Sequence, residues 1–243
     1  MERAHCQAMV IGSMEYREAD RIVTLFTEEH GVVRALARGA RRSTKRFGGA
    51  LELFARLSVR LVIREGLSTL EDAEIQTIFP SIRQDFARIG FASYACELVG
   101  ALLPEGLANG RVFRLLETYL RHLDSTAPSS SDRRFFEINL LNILGYRPPV
   151  DDCASCGETL GAEGGWWRQG NVDGILCPRC CRGGEPVAGS TLSRLRQSLR
   201  TGRFGVVQLG DRELAEAGAL LDATIASHLS RPLKTLAFLR LSP

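Results

Sequence analysis

Four cysteines stand in two C-x-x-C pairs, Cys153-Ala-Ser-Cys156 and Cys177-Pro-Arg-Cys180, with twenty residues between Cys156 and Cys177. Each pair makes a tight turn that aims two sulfurs to one side, Gly157 supplies backbone freedom after the first, and four thiolates complete a tetrahedral shell. A full shell leaves no position for water or substrate, so the spacing predicts one structural Zn2+ and disfavours zinc hydrolysis. Cys181 is a spare thiol that competes with Cys180 for the fourth position, and spacing favours Cys180. Redox chemistry is disfavoured, because neither pair sits between a strand and a helix as thioredoxin-like chemistry needs. Cys6 and Cys96 stand alone in apolar stretches and read as buried small hydrophobes. Seven cysteines, five of them between positions 153 and 181, fit reduced thiols better than a disulfide framework.

The second chemical signal is charge. The chain carries 31 basic and 28 acidic residues, a net of +3. Between Arg34 and Arg64, however, nine basic residues face one acid, Glu52: Arg34, Arg38, Arg41, Arg42, Lys45, Arg46, Arg56, Arg60 and Arg64, a local net of +8. The remaining 22 basic and 27 acidic residues leave −5 elsewhere. A solvated surface usually mixes signs, and eight of these nine cations are arginine, whose planar fork binds phosphate at two points. The segment is therefore a candidate nucleic-acid surface. Residues 39–49 form a glycine-bounded basic loop in which Phe47 is placed to stack on a base, with Tyr16 a weaker candidate. Binding is expected to be electrostatic and tolerant of base sequence. Nine single-strand phosphate contacts would give a log-log salt slope of roughly −6.

Catalysis finds little support. His5, His30, His122 and His228 are scattered, and no Walker loop, nucleophile elbow or H-E-x-x-H occurs. Glu18 and Asp20 lie beside Arg17 and Arg21 and read as a solvated turn rather than a nuclease metal site.

The elements that must position these groups divide near Pro80. The 243 residues, 44% hydrophobic and 24% charged, suffice for one large domain or two or three small ones. Residues 1–80 read as β structure, with candidate strands 7–13, 22–27, 32–38, 53–64 and 70–78. In Arg56 to Arg64 the period is two: Leu57, Val59, Leu61 and Ile63 point one way, the arginines and Ser58 the other. Five strands in eighty residues predict an OB-type β-barrel, with an open SH3-like barrel as the rival. From residue 81 to 243 the period is helical, interrupted by a zinc-binding insertion at about 150–185. Candidate helices are 81–102, begun by a capping box at Ser81, then 109–123, 132–144 capped by Asp132, 191–199 and 211–229. The fold class is thus α+β. No apolar run approaches the roughly 20 residues of a membrane span, and residues 1–10 lack a secretory pattern. A cytoplasmic protein is expected.

Four stretches resemble the RecO family of bacterial recombination mediators: residues 16–31 (Tyr16-Arg-Glu-Ala-Asp20-Arg21 through Gly31), Gly39-Ala-Arg-Arg-Ser, Phe135-Phe-Glu137 through Leu144-Gly145-Tyr146-Arg-Pro148, and Cys153-Ala-Ser-Cys156-Gly157. The likeness runs over nearly the whole chain. It departs at Asn171-Val-Asp-Gly174-Ile-Leu, where the family is richer in glycine, and at the extra Cys181. The resemblance implies an N-terminal OB domain that binds single- and double-stranded DNA, and a helical domain holding the zinc ribbon. It further implies strand annealing, contact with RecR and the acidic tail of single-strand-binding protein, and help in loading RecA at the nucleoid. The rival reading is a zinc-ribbon transcription or translation factor whose ribbon touches nucleic acid. Every charged residue from Asp151 to Gly165 is acidic (Asp151, Asp152, Glu158, Glu163), which suits a scaffold better.

Overall fold

The structure is a computed structural model that describes residues 2–42, 47, 50–168, 171–181 and 183–239. These fall into two compact units, Met1–Ala127 with Leu233–Pro243, and Pro128–Pro232.

The first unit is built on β1 (Glu2–Tyr16), β2 (Asp20–Thr27), β3 (Gly31–Ala37), β4 (Arg56–Ile63) and β5 (Ser68–Thr77). They close into a barrel in the order β1-β2-β3-β5-β4, the OB-type arrangement, rather than an open SH3-like one. Closure needs β1 to serve two partners. Its first half pairs with β4, its second half with β2, and the register shift between Val10 and Gly12 supplies the bend. Val10, Val23, Leu25, Val33, Ala35, Leu57, Val59, Leu61 and Leu70 fill the interior, with Ile63 packed at its margin. The alternation read from Arg56 to Arg64 is thus the barrel wall.

The same unit contains α1 (Pro80–Gln84), α2 (Phe86–Leu102), α3 (Gly110–Ser125) and α7 (Leu236–Leu239). The helix expected over 81–102 is two helices. Asp85 breaks it, capping α2 through its carboxylate with Arg88 N (2.8 Å). Ser81 caps nothing; the Asp124 carboxylate accepts from Ser81 N (2.7 Å) and Ile82 N (3.2 Å). The change of period at residue 80 lies inside this unit because the helices are held to the barrel. Phe113 packs on Phe26 at 5.5 Å. Gly31, at φ +64, lets the Leu107 carbonyl approach where a Cβ would sit 2.2 Å from it.

The second unit holds α4 (Ser130–Leu144), a three-stranded sheet of β6 (Gly165–Arg168), β7 (Asn171–Leu176) and β8 (Glu185–Val187) in the order β7-β6-β8, then α5 (Gly189–Thr201) and α6 (Asp211–His228). Ser129, not Asp132, is the cap of α4, its hydroxyl accepting from Ser131 N at 3.1 Å. Asp132 is buried and accepts from Gly205 N at 2.7 Å. Glu137, fully buried, takes Arg133 at 3.2 Å and Arg134 at 2.7 Å, so the Phe-Phe-Glu motif anchors an internal ion cluster. Gly145 ends α4 in the left-handed conformation.

Candidate metal centre and nucleic-acid surface

The structure gathers the sulfurs of Cys153, Cys156, Cys177 and Cys180 within 4.8 Å of one another. The Cys156 and Cys177 sulfurs are 3.8 Å apart. Tetrahedral ligands at the usual Zn–S length of about 2.3 Å would sit about 3.8 Å from each other, so the spacing fits a metal ion of that size. Each knuckle is shaped by backbone hydrogen bonds: Gly157 N to Cys153 O (2.9 Å), Cys180 N to Cys177 O (3.0 Å), and Cys153 N to Glu158 O (2.8 Å). Burial works to raise the pKa of Cys153, but the amides of Cys177, Cys156 and Ser155 donate to its sulfur and lower it to about 6, whereas the hydrogen bond with Cys156 helps push Cys180 up to about 12, so the backbone favours the thiolate at Cys153 alone of these two. Cys181 lies outside the cluster, buried, with its thiol donating to Gly183 O at 2.9 Å. Cys180 is therefore the fourth member. Cys6 and Cys96 are also buried, and burial pushes each thiol up to about 12, as expected of packing residues.

One residue that sequence reasoning missed holds the first knuckle in place. Arg196, on α5, donates to the carbonyls of Val150 (2.6 Å), Asp151 (3.2 Å) and Leu160 (2.8 Å), bracketing Cys153 and Cys156. It also pairs with the Asp151 carboxylate at 3.3 Å. In sequence it is one arginine among several on the polar side of an amphipathic helix, and nothing local distinguishes it. The acids flanking the first pair are occupied: Asp151 by Arg147 and Arg196, Glu158 by Arg179, and Asp152 by the Thr159 hydroxyl.

The seven cations of this set among the described residues do not share one face. Arg34 is exposed on β3, and Arg38 follows its end. Arg60 is exposed on β4, two places away round the barrel, and pairs with Asp72 at 2.8 Å. Arg56 is half-buried and held at 2.8 Å by Glu117 of α3, so it serves as a tie between barrel and helix instead of a phosphate ligand. Arg34 and Arg64 meet at one cavity of about 250 Å³, with His30, Glu65 and Glu105 also lining it. Neither makes an ion pair among the described residues. Arg41 and Arg42 are exposed and reach back to the β1–β2 hairpin, pairing with Glu15 (3.5 Å) and Glu18 (3.8 Å). The loop is seated there by Arg41 N on Ala19 O (3.0 Å) and Gly39 N on the Asp20 carboxylate (2.8 Å). Lys45 and Arg46 lie outside the described residues.

Phe47 is a correction. It is 2% exposed in the core cluster that also holds Ala50 and Leu51, because burying a large aromatic ring costs less than leaving it in water. It offers no face to a base. The hairpin tip carries what the sequence underweighted: Arg17 has φ +55 and places its guanidinium 5.2 Å over the Tyr16 ring.

A closed OB-type barrel followed by a helical region with a four-cysteine cluster defines the class. Family models agree with it. The model described as Recombination protein O N terminal matches residues 1–79, and that described as Recombination protein O C terminal matches residues 83–237. DNA repair protein RecO of Geobacter sulfurreducens is 56% identical over 240 residues, covering 99% of this chain and 98% of the relative. DNA repair protein RecO of Geobacter metallireducens is 53% identical over 240 residues, with the same coverage. That of Pelobacter propionicus is 48% identical over 236 residues, covering 96% and 95%. The chain belongs to the RecO family of DNA repair proteins. No described helix is long and apolar enough to cross a membrane.

Proposed function

We propose that this protein is a mediator of DNA repair and homologous recombination: it binds single- and double-stranded DNA, anneals complementary strands, and helps load RecA on strands covered by single-strand-binding protein. The carrying observation is full-length membership in the RecO family together with exposed arginines on the barrel strands and hairpin tip. Annealing needs no nucleotide and no covalent chemistry. Two phosphate backbones repel, and guanidinium groups that neutralise them let complementary bases approach and pair. Residues 1–80 serve as the DNA-binding domain, and residues 81–243 carry the zinc-bearing insertion and the contacts with RecR and the acidic C-terminal tail of single-strand-binding protein. The metal is one structural Zn2+, favoured by the all-thiolate donor set. The setting is the cytoplasm, at the nucleoid. No membrane partner is invoked.

The zinc-ribbon factor reading is less well supported, since the acids beside the first cysteine pair are already paired within the protein and present no basic surface to phosphate. The deciding measurement is annealing of complementary oligonucleotides by wild type and by Arg41→Ala/Arg42→Ala/Lys45→Ala. The variant should fold and anneal at least about tenfold more slowly. An unchanged rate in a folded variant relocates the DNA site. Cleavage of DNA in Mg2+ or Mn2+ would instead indicate a nuclease.

A further inference from the structure

The outer surface of β1, β2 and β3 is organised in rows. Gly12 pairs with Thr24 and Thr24 with Arg34; Met14 pairs with Ile22 and Ile22 with Leu36; Tyr16 pairs with Asp20. Arg38, one residue beyond the last paired position, has the parity of Arg34 and Leu36. Because Val23 and Ala35 point into the core, all these residues point out. Farther down the barrel the same surface is covered, with Phe26 and Val32 buried and Phe113 on the Phe26 ring. The open part is therefore the hairpin end, where Met14 is 55% exposed beside Tyr16. With about 3.3 Å per residue and about 4.8 Å between strands, it measures roughly 13 by 10 Å. Met14, Leu36 and Tyr16 form its apolar and aromatic part around an Ile22 that is itself buried, and arginines run along one margin.

We propose that this surface is a single-strand-specific platform on which the Tyr16 ring and the Arg17 guanidinium stack an unpaired base while Arg34 and Arg38 take the adjacent phosphates. The inference rests on the reading of the barrel as the DNA-binding module and adds which strand form the surface selects and how. Three observations carry it. Arg17 occupies a left-handed backbone position that a glycine would hold with less strain, so the turn retains a side chain there against a conformational cost. That side chain lies over one face of the Tyr16 ring, a cation–ring stack to which a nucleobase can add. The aromatics of the basic segment itself, Phe47 and Phe54, are both buried. In a duplex the bases are already stacked on one another, so only the arginines act on it. In a single strand, the ring and guanidinium add sequence-tolerant stacking.

The test compares affinities of the full-length protein for three labelled ligands by fluorescence anisotropy: a dT 20-mer, an abasic 20-mer with the same phosphates, and a 20-base-pair duplex. Tyr16→Leu should weaken dT binding about tenfold and leave the abasic and duplex affinities within about twofold. Tyr16→Phe should match wild type. Arg17→Gly, which suits the turn, should weaken dT binding severalfold with no loss of thermal stability. Arg34→Ala/Arg38→Ala should weaken all three ligands. Unchanged dT binding in both Tyr16→Leu and Arg17→Gly, with weakened binding in the double arginine variant, sinks the stacking platform and leaves the barrel as the DNA module. Equal loss on all three ligands in Arg17→Gly also overturns stacking. Full binding of every ligand by the arginine variant would instead remove the barrel reading on which the platform rests.

Discussion

Arg196 directs its guanidinium at three carbonyls on either side of the first cysteine pair, holding them together from one side chain. Charge-assisted hydrogen bonds of this kind contribute about 1.5–3 kcal/mol each, less when water replaces them. Arg196→Ala should lower unfolding stability by about 2–4 kcal/mol. It should also speed zinc release to a chromophoric chelator, although Arg196 is no ligand. Arg196→Lys, with a single point of donation, should fall between. Wild-type zinc release from Arg196→Ala would show that the knuckle holds its shape without the clamp. The sequence makes the opposite point at the cysteines. Their types and spacing alone single out the donor set, because few arrangements of four thiols other than a metal shell use two such turns.

Among the elements, α6 grips the start of α5 through Glu216. Its carboxylate accepts from Ala188 N (2.8 Å), the Thr191 hydroxyl (2.6 Å) and Arg212 Nε (2.8 Å). Burial alone would raise its pKa, but these donors, led by the Thr191 hydroxyl, hold it below the usual glutamate range. A carboxyl depressed in the folded state adds stability above its unfolded pKa, near 4.5, and that stability is lost as pH falls through its folded value. The drop in thermal stability of wild type below about pH 4.5 should therefore be shallower in Glu216→Gln, which should also cost about 1–3 kcal/mol at pH 7. Identical acid limbs in the two proteins would place the pH dependence elsewhere. Helix termini were where local sequence misled. Ser81 and Asp132 have the right types for caps, but Asp124 and Ser129 do the capping, and Asp132 turns inward to Gly205. A cap is chosen by which oxygen reaches the free amides, and Asp124 is forty-two residues from Ile82.

For the whole molecule, metal and DNA functions are expected to separate. Cys156→Ser should abolish binding of the one proposed zinc equivalent, read by atomic emission, and lower the melting temperature. At a temperature where the variant remains folded, single-strand affinity should change by less than about threefold. A folded, zinc-free variant unable to bind DNA would return nucleic-acid recognition to the cysteine region. Salt dependence bears on the same question. With Arg56 held by Glu117 and Arg60 by Asp72 at 2.8 Å each, and the longer Arg41–Glu15 and Arg42–Glu18 pairs open to exchange for phosphate, at most seven of the nine cations meet phosphate, so the log-log slope should be no steeper than about −5. A slope near −1 would remove the electrostatic mechanism altogether.

The sequence by itself determined the barrel wall, through the period of two from Arg56 to Arg64. It also determined the approximate course of the longer helices, the cysteine donor set, and the concentration of cations between Arg34 and Arg64. Each of these depends on neighbours in the chain: side-chain alternation, helical spacing, turn geometry and local charge. Only the tertiary structure decided which cations acids hold. Arg56 and Arg60 meet acids sixty-one and twelve residues away. It also put Phe47 in the core, laid the Arg17 guanidinium over the Tyr16 ring, and set Cys180 in the cluster with Cys181 outside it. Those outcomes depend on which strands and helices lie side by side after the barrel closes and the knuckle folds, a long-range arrangement that no local pattern contains.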